Sequence, residues 1–308
     1  MATLAQYLFV MGALLLLMSF MLGIAYTTLQ AVGRKAALAV SGAPQRLAGA
    51  GAGATSLGTT TSELPSGPSV QTVGAVALGL TWASFLLMAG SLLLRGIIVG
   101  RGPWGNMFEF SIAFAVGVLG AYLFLERRYP IRSIGFLPLG VALFLVGYAA
   151  TLPSTIEPLV PALNNAPLLT IHVAMAMISY GVLAVSFAAA VGYLAQGRED
   201  RFAWLPTRKV LDEVAYRSVI IGFPVFATMI ILGSYWASIA WGRYWGWDPK
   251  ETASLVTWLI YAVYLHTRSQ RNWAGRPSAL ILVIGFGAVL VTYFGNLFFA
   301  GLHSYSGL

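Results

Sequence analysis

Long apolar runs alternate with short polar connections along most of this chain. Eight of the runs are long enough to cross a bilayer, which takes roughly 17 to 25 residues in a helix. They lie at residues 5–30, 72–95, 107–125, 134–150, 168–196, 214–240, 251–268 and 278–301. The pattern predicts an all-α, polytopic membrane protein with about eight transmembrane helices. Composition agrees, since the chain is 58% hydrophobic and 9% charged, whereas soluble domains are about a quarter charged.

The basic residues predict how these helices are oriented. When the connections are assigned alternately to two sides, most of the 18 Lys and Arg residues fall on one side. These are Arg34, Lys35, Arg46, Arg127, Arg128, Arg132, Arg198, Arg201, Arg208, Lys209, Arg217, Arg268, Arg271 and Arg276. Because basic connections stay cytoplasmic, both termini are expected on the outer face, with Arg95, Arg101, Arg243 and Lys250. No basic residue precedes the first run, so we expect a retained span and not a cleaved signal peptide.

Composition divides the chain into three regions. Residues 1–40 hold the first span and its inner flank, and residues 73–308 hold a seven-helix core. Between them, residues 41–72 are rich in Gly, Ala, Ser, Thr and Pro without an apolar period, which indicates a flexible cytoplasmic linker. The absence of cysteine excludes disulfides and thiolate metal sites. The net charge of +8 lies on cytoplasmic rims, where membrane lipid accounts for it, and no nucleic-acid partner is expected.

One connection, residues 241–251, concentrates aromatic rings and charges in "WGRYWGWDPKE". Its rings belong to Trp241, Tyr244, Trp245 and Trp247, and Gly242 and Gly246 separate them. Trp and Tyr also anchor membrane proteins at the interface as an aromatic belt. A belt does not need four rings in seven residues, whereas glycines let a backbone approach a ligand closely and flat indoles offer a stacking surface. The segment therefore predicts a platform for a large, flat, apolar ligand.

The end of this segment has the pattern of a helix start. Asp248 is predicted as the N-cap, Pro249 as the first helical residue and Glu251 as the partner in a capping box. This local role is compatible with ligand binding by Asp248. Two interpretations stay open for Arg243 and Lys250. Their side chains either contact the carboxylates of a ligand or are solvated at the membrane interface.

Three histidines occur in the chain. His172, at the start of the fifth predicted helix, and His303, at the end of the eighth, share the outer side with the aromatic segment. His266 lies about 22 Å beyond Glu251 along a helix, in the inner half of the membrane. Such residues are often only hydrogen-bonded at an interface, but ionisable groups near a bilayer are functional candidates. Two neutral imidazoles suit the axial positions of a haem iron, whereas catalytic zinc usually takes three protein ligands.

These residues carry a resemblance to a known family. The segment "WGRYWGWDPKE" resembles the WWD signature of the haem-handling proteins of cytochrome c maturation, and "WDPKETASLVTWLIYAVYLHTR" is similar to the branch called CcsA or ResC. Further matches are "GRGPWGNMFEF", "YRSVIIGFPVF" and "GLHSYSG", so the resemblance covers roughly residues 74 to 308. The sequence departs from the family at Ala253, where a Trp is expected, and in the long loop after the first span.

The resemblance implies what each candidate residue does. His172 and His303 would ligate the iron of haem b together at the outer face, on the WWD platform formed by Trp241, Gly242, Tyr244, Trp245, Gly246, Trp247 and Asp248. His266 would bind haem within the membrane before export. Its second ligand would come from a ResB- or CcsB-like membrane subunit.

The function implied is haem transport and covalent attachment of haem to CxxCH segments of apocytochrome c. The chain would be one subunit of a two-part cytochrome c synthase, a haem lyase, in the bacterial plasma membrane or the thylakoid membrane. It would supply positioning and no catalytic acid or nucleophile, and thiol-reducing proteins are further candidate partners. Two alternatives stay open: a haem export or delivery protein without synthase activity, and a non-haem secondary transporter whose tryptophans only anchor it.

Overall fold

A computed structural model describes residues 1–41, 68–156, 166–197, 200–270, 273 and 275–303. Within these residues the chain forms eight α-helices and no β-strand, which confirms the predicted all-α class. The helices are α1 (Ala2–Ser41), α2 (Pro68–Val99), α3 (Met107–Glu126), α4 (Phe136–Ala150), α5 (Ala166–Gln196), α6 (Arg208–Trp241), α7 (Pro249–Arg268) and α8 (Arg276–Phe294).

Seven of these helices are long and apolar enough to cross a membrane, as judged by length and composition. The helix that is not among them is α7, which corresponds to the predicted span 251–268. Its first turn holds Lys250 and Glu251 and its last turn holds His266 and Arg268, so charged and polar groups occupy both ends of a 20-residue helix. The protein is a polytopic membrane protein, and its eighth span stays a prediction.

The predicted linker at residues 41–72 lies mostly outside the described residues, since 42–67 are not among them. Helix α2 begins at Pro68, earlier than the predicted span at 72. Proline suits a helix start, because the first backbone N–H groups of a helix have no partner within it. The helical core therefore begins inside the stretch that composition assigned to the linker.

The core lies where α3 crosses α5. Most residues of α3 are buried, and two glycines allow the two backbones to approach closely. A Cβ on Gly117 would lie 2.4 Å from the carbonyl oxygen of Met177, and one on Gly181 would lie 2.3 Å from that of Gly117. Small residues at a crossing are the usual means of close helix packing in membranes. Helix α5 also packs against α6 and α8, so it is the element around which the functional helices gather.

The connections gather at two opposite ends of the bundle. At one end, Arg34 of α1, Arg132 after α3 and the start of α6 line one cavity. Arg268 in the last turn of α7 pairs with Asp212 of α6 at this end, with both guanidinium–carboxylate distances at 2.7 Å. The start of α3, the end of α6 and residues 241–251 lie at the other end. Which end faces outward stays a prediction.

The eighth helix ends earlier than the predicted residue 301. Helix α8 stops at Phe294, and a 3₁₀ turn over Gly295–Leu297 follows. Beyond it the apolar pattern continues, but Phe298 is 78% exposed. The turn brings Gly301 so close to Asp248 that a Cβ would lie 2.2 Å from Oδ2 of the carboxylate. Leu302 and His303 therefore lie in an irregular segment and not at a helix end.

Candidate functional site

A cavity lies at the end of the bundle where α3 begins and α6 ends. Its empty space, with the open mouth included, is about 990 Å³. Helices α3, α5, α6, α7 and α8 and the segment after α8 form its walls. Its apolar and aromatic walls include Trp104, Phe110, Tyr180, Trp236 and Trp245, and His172 and His303 also line it.

His172 lies in the second turn of α5 and is held by α6. Its Nδ1 is 2.8 Å from the carbonyl oxygen of Met229, so this nitrogen carries the proton and donates it. The ring fits against α6 because residue 233 is a glycine, and a Cβ on Gly233 would lie 2.6 Å from Cε1 of the imidazole. The lone pair of the neutral ring is then on Nε2.

His303 is held in a similar way by Asp248. Its Nδ1 lies 2.8 Å from Oδ1 of the carboxylate, and its ring packs edge-on against Trp241 with centroids 4.9 Å apart. The backbone N–H of Leu302 donates to Oδ2 of the same carboxylate at 2.5 Å. With the proton on Nδ1, the lone pair of the neutral ring is again on Nε2.

Asp248 and Glu251 form the predicted capping box at the start of α7. The Asp248 carboxylate accepts from the Lys250 N–H at 2.9 Å, and the Glu251 carboxylate accepts from the N–H groups of Gly246 at 2.8 Å and Asp248 at 3.2 Å. Burial raises the pKa of Asp248, but the hydrogen bond and charge of His303, with two backbone N–H groups, outweigh it and lower the pKa from 3.8 to about 2. An ionised carboxylate thus both starts a helix and orients an imidazole.

The connection before α3, which carries Trp104, is fixed by a buried ion pair. Arg95 of α2 donates from Nε to Oε1 of Glu109 at 2.9 Å, and both side chains are almost fully buried. The other carboxylate oxygen accepts from the N–H of Gly105 at 2.8 Å, and Asn106 caps α3 by accepting from the Glu109 N–H at 2.9 Å. Because removing one partner of a buried pair is strongly destabilising, this connection is held firmly against the cavity.

The two imidazoles present the same nitrogen as the lone-pair donor. Neutral imidazoles of this tautomer ligate transition metals, and α5 and the segment after α8 supply two of them to one cavity. The site is less suited to a metal ion held by protein side chains alone, because the described residues contain no group of three His, Cys, Asp or Glu that could hold one. Together with the aromatic walls, the pair suits a flat, apolar molecule with a metal at its centre.

The four rings of the aromatic segment differ in their position relative to this cavity. Trp245 lines it, and Trp241 packs behind the ring of His303. Tyr244 and Trp247 are 63% and 70% exposed, although Trp247 packs edge-on against Trp245 with centroids 5.9 Å apart. Of the rings predicted as one platform, the structure thus brings Trp245 to the two histidines, places Trp241 one layer behind, and leaves the other two on the surface.

The two glycines of the segment shape its turn. Gly242 ends α6 with a φ of 71°, in the left-handed region where residues with a side chain are rare. Gly246 donates its N–H to Glu251, and a Cβ on it would lie 3.1 Å from Nε of Arg243, an exposed residue. Neither glycine lines the cavity, so their observed role is in the backbone of the turn.

Two of the tryptophans that line the cavity were not predicted from the sequence. Trp236 of α6 is buried and packs against both Trp241 and His303, and Trp104 precedes α3. A signal for Trp104 was present, because it stands within the quoted segment "GRGPWGNMFEF". Trp236 offered no signal beyond its residue type, since aromatic residues in apolar runs commonly face lipid or the core.

His266 lies at the far end of α7, apart from the cavity. The helix is continuous over Pro249–Arg268, so His266 is about 22 Å from Glu251 along its axis. Its side chain is exposed, and its Nε2 lies 3.4 Å from the side-chain nitrogen of Gln270. The structure therefore brings two of the predicted histidine ligands together and leaves the third on the surface of the described bundle.

Known proteins resemble this chain over the region that forms the cavity. The sequence pattern of the family described as "Cytochrome C assembly protein" matches residues 104–303, and α1 and α2 lie outside it. Three similar proteins bear the name "Cytochrome c biogenesis protein CcsA". That of Synechococcus elongatus is 36% identical, with 71% of this chain and 84% of the relative covered. That of Prochlorococcus marinus is 34% identical (72% and 82% covered), and that of Guillardia theta 33% (78% and 88%).

Proposed function

The chain belongs to the cytochrome c assembly protein family, and we propose that it holds haem for covalent attachment to apocytochrome c, as the integral subunit of a two-part synthase. A role in cytochrome c biogenesis follows from the family. One observation carries the finer proposal. His172 of α5 and His303 after α8 line one aromatic cavity, and the Nδ1 atom of each is held by a hydrogen-bond acceptor.

Haem b is the proposed substrate of this cavity, and the residues present fit it. Its iron accepts two neutral imidazoles as axial ligands, and its flat, apolar ring suits the indole walls of Trp104, Trp236 and Trp245. The Nδ1 partners of His172 and His303, a backbone carbonyl and a carboxylate, are the groups that commonly orient ligating histidines.

Positioning is the proposed contribution of this chain to attachment. The chemistry is addition of the two Cys thiols of a CxxCH segment across the haem vinyl groups, which forms two thioether bonds. The acceptor brings both thiols and its own His, while the cavity walls orient the ring and keep water away from it. His172 donates from Nδ1 to an uncharged carbonyl, whereas His303 donates to a carboxylate, which holds a ligating imidazole more strongly in place. We therefore expect the acceptor's His to displace His172.

The cavity end is proposed to face outward from a bacterial plasma membrane or a thylakoid membrane. The support is the distribution of charge, because the opposite end carries Arg34, Arg132, Arg268 and most of the other basic connections, and such connections stay cytoplasmic. An outward cavity is also where an exported apocytochrome would meet the haem.

A partner subunit is proposed to pack beside α7. His266 is exposed on this helix, and a chain with three histidines has no fourth one to supply a second axial ligand there. A ResB- or CcsB-like membrane chain would supply it. Thiol-reducing proteins would keep the acceptor cysteines reduced, since this chain has no thiol of its own.

Purification from haem-replete cells tests the haem assignment. A Soret band typical of bis-imidazole iron is expected, and a protein without Soret absorbance would favour the secondary transporter. Co-expression with a CcsB-like subunit and a CxxCH acceptor tests attachment. Covalent product is expected only when both subunits are present. Haem binding without product under those conditions would leave the export or delivery protein as the better description.

Gly233→Ala is expected to weaken haem ligation without unfolding the protein. The added methyl would lie 2.6 Å from Cε1 of His172, so the imidazole must move, while Ala itself favours a helix. Because a displacement of about 1 Å at a ligand is costly, we expect roughly 10-fold less haem retained per protein, measured by Soret absorbance. Gly287→Ala is the control, since a Cβ there meets nothing within 4 Å. Equal retention by both variants would contradict the assignment of His172.

Trp245→Ala is expected to lower haem retention several-fold, whereas Trp247→Ala is expected to leave it nearly unchanged. The first ring lines the cavity and the second is 70% exposed, and an aromatic contact contributes about 0.5–1.5 kcal/mol beyond its buried area. Haem that remains in Trp245→Ala should still show a bis-imidazole spectrum. A five-coordinate spectrum would mean that the indole acts on the iron ligands and not on the ring.

A further inference from the structure

Lys250 occupies a position in the cavity wall that the ligation by two histidines does not explain. It is the second residue of α7, and its backbone N–H donates to the carboxylate of Asp248. Its side chain lines the same cavity as His172 and His303. The ammonium nitrogen lies 5.3 Å from the centre of the Phe110 ring, on α3. A cation is thus held between two helices, against an aromatic wall.

The carboxylates near Lys250 already accept hydrogen bonds from other groups. Asp248 is bonded to His303 and to the N–H of Leu302, and Glu251 accepts from the N–H groups of Gly246 and Asp248. Among the residues that the structure describes, the ammonium of Lys250 takes part in no ion pair. An ammonium in a largely apolar cavity is unfavourable without a compensating anion, so the ligand of the cavity is the natural source of that anion.

We propose that Lys250 binds a carboxylate of the cavity's ligand, which, on the function proposed above, is a propionate of haem b. Arg243, the other basic residue of the segment, is exposed and does not line the cavity. A propionate held at the start of α7 fixes the in-plane rotation of the porphyrin. Because the vinyl groups lie on the side of the ring away from the propionates, this contact also sets which edge is presented to an incoming thiol.

The test compares two probes that differ only at their carboxylates, which are iron protoporphyrin IX and its dimethyl ester. Each is loaded into the full chain as the unaltered protein, Lys250→Gln or Lys250→Arg, and its loss to an excess of a haem-scavenging protein is followed by the Soret band. Lys209→Gln is the control for the substitution itself, since Lys209 is exposed near the opposite end of the bundle.

Lys250→Gln is expected to lose the diacid about 10-fold faster or more, as for loss of one charge-assisted hydrogen bond, and to lose the diester at the unaltered rate. Lys250→Arg, which keeps the charge, should recover most of the retention, and Lys209→Gln should change nothing. Equal acceleration for both probes would overturn the proposal, because it would mean a damaged cavity and not a lost carboxylate contact. No acceleration for either probe would overturn it as well.

The same measurement separates this inference from the proposed function. A bis-imidazole spectrum of the unaltered protein with both probes supports the function, whatever Lys250 does. If Arg243→Gln, and not Lys250→Gln, released the diacid selectively, the carboxylate contact would belong to the exposed arginine and this assignment would be wrong. Unaltered protein that gave no bis-imidazole spectrum with either probe would contradict the function and, with it, this inference.

Discussion

Replacing either His172 or His303 by Gly is expected to abolish attachment of haem to apocytochrome c, with a fall of at least roughly 100-fold, or about 2.7 kcal/mol in the barrier. Each substitution removes one of two imidazoles that line the same cavity, so the iron would lose an axial ligand. Added imidazole should restore part of the activity by filling the space left by the ring. The measurement is the yield of covalent cytochrome in cells that contain the partner subunit.

The third histidine is the matched control for this experiment. His266→Gly removes the same side chain about 22 Å away along α7, so imidazole supplied at the outer face is not expected to restore what that variant loses. Full activity of both His172→Gly and His303→Gly without imidazole would show that neither ring ligates the iron. Restoration of His172→Gly alone would restrict the assignment to the α5 ligand.

Replacing His266 by Ala is expected to deprive the cavity of haem while the cavity itself stays competent. The basic residues beyond it mark the predicted inner surface, and the side chain is exposed for a partner's ligand. We expect roughly 10-fold less haem at His172 and His303 in cells, which corresponds to about 1.4 kcal/mol. Haem added directly to the outer face of the purified variant should then load normally, as followed by the bis-imidazole Soret band.

Gln270→Ala distinguishes haem capture by His266 from a structural role. The Gln270 side chain is the described neighbour of the ring, with 3.4 Å between the two nitrogen atoms. If His266 served only in that contact, removing either partner would have the same effect. Normal haem loading in cells carrying His266→Ala would refute a relay through α7.

Local patterns in the sequence predicted local structure well. The apolar runs predicted eight helices, and the Asp-Pro-x-Glu pattern at residues 248–251 predicted a capping box that the structure confirms. Both predictions succeed because the interactions involved span a few residues along one chain segment. The same reasoning placed the end of the last helix at residue 301, too late, because the apolar pattern continues through Phe298 and Phe299 after α8 has ended.

The contacts that hold the two imidazoles in place could not be predicted from the sequence. The carbonyl that holds His172 is 57 residues away on α6, and the space for the ring depends on Gly233, one of 34 glycines in the chain. His303 meets Asp248 only because the chain turns after α8. Contacts of this kind depend on how helices cross, and no periodicity along a single segment encodes that.

The sequence also could not predict which rings of the aromatic segment line the cavity. Trp245 and Trp247 stand two residues apart in the same motif, yet one lines the cavity and the other is 70% exposed. Composition identifies a cluster of rings, but the direction of each ring depends on the backbone of an irregular turn. Trp247 itself has a φ of 56°, a conformation that a side-chain-bearing residue adopts only rarely.

Energised membranes acidify the compartment on their outer side, where the cavity is proposed to open. The carboxylate of Asp248, with a pKa lowered to about 2, stays ionised at the pH that proton pumping produces. Its contribution to folding stability is present above the ordinary value of 3.8 and is lost only as the pH falls toward 2. We therefore expect the hydrogen bond from His303 to Asp248 to persist at the pH that proton pumping produces.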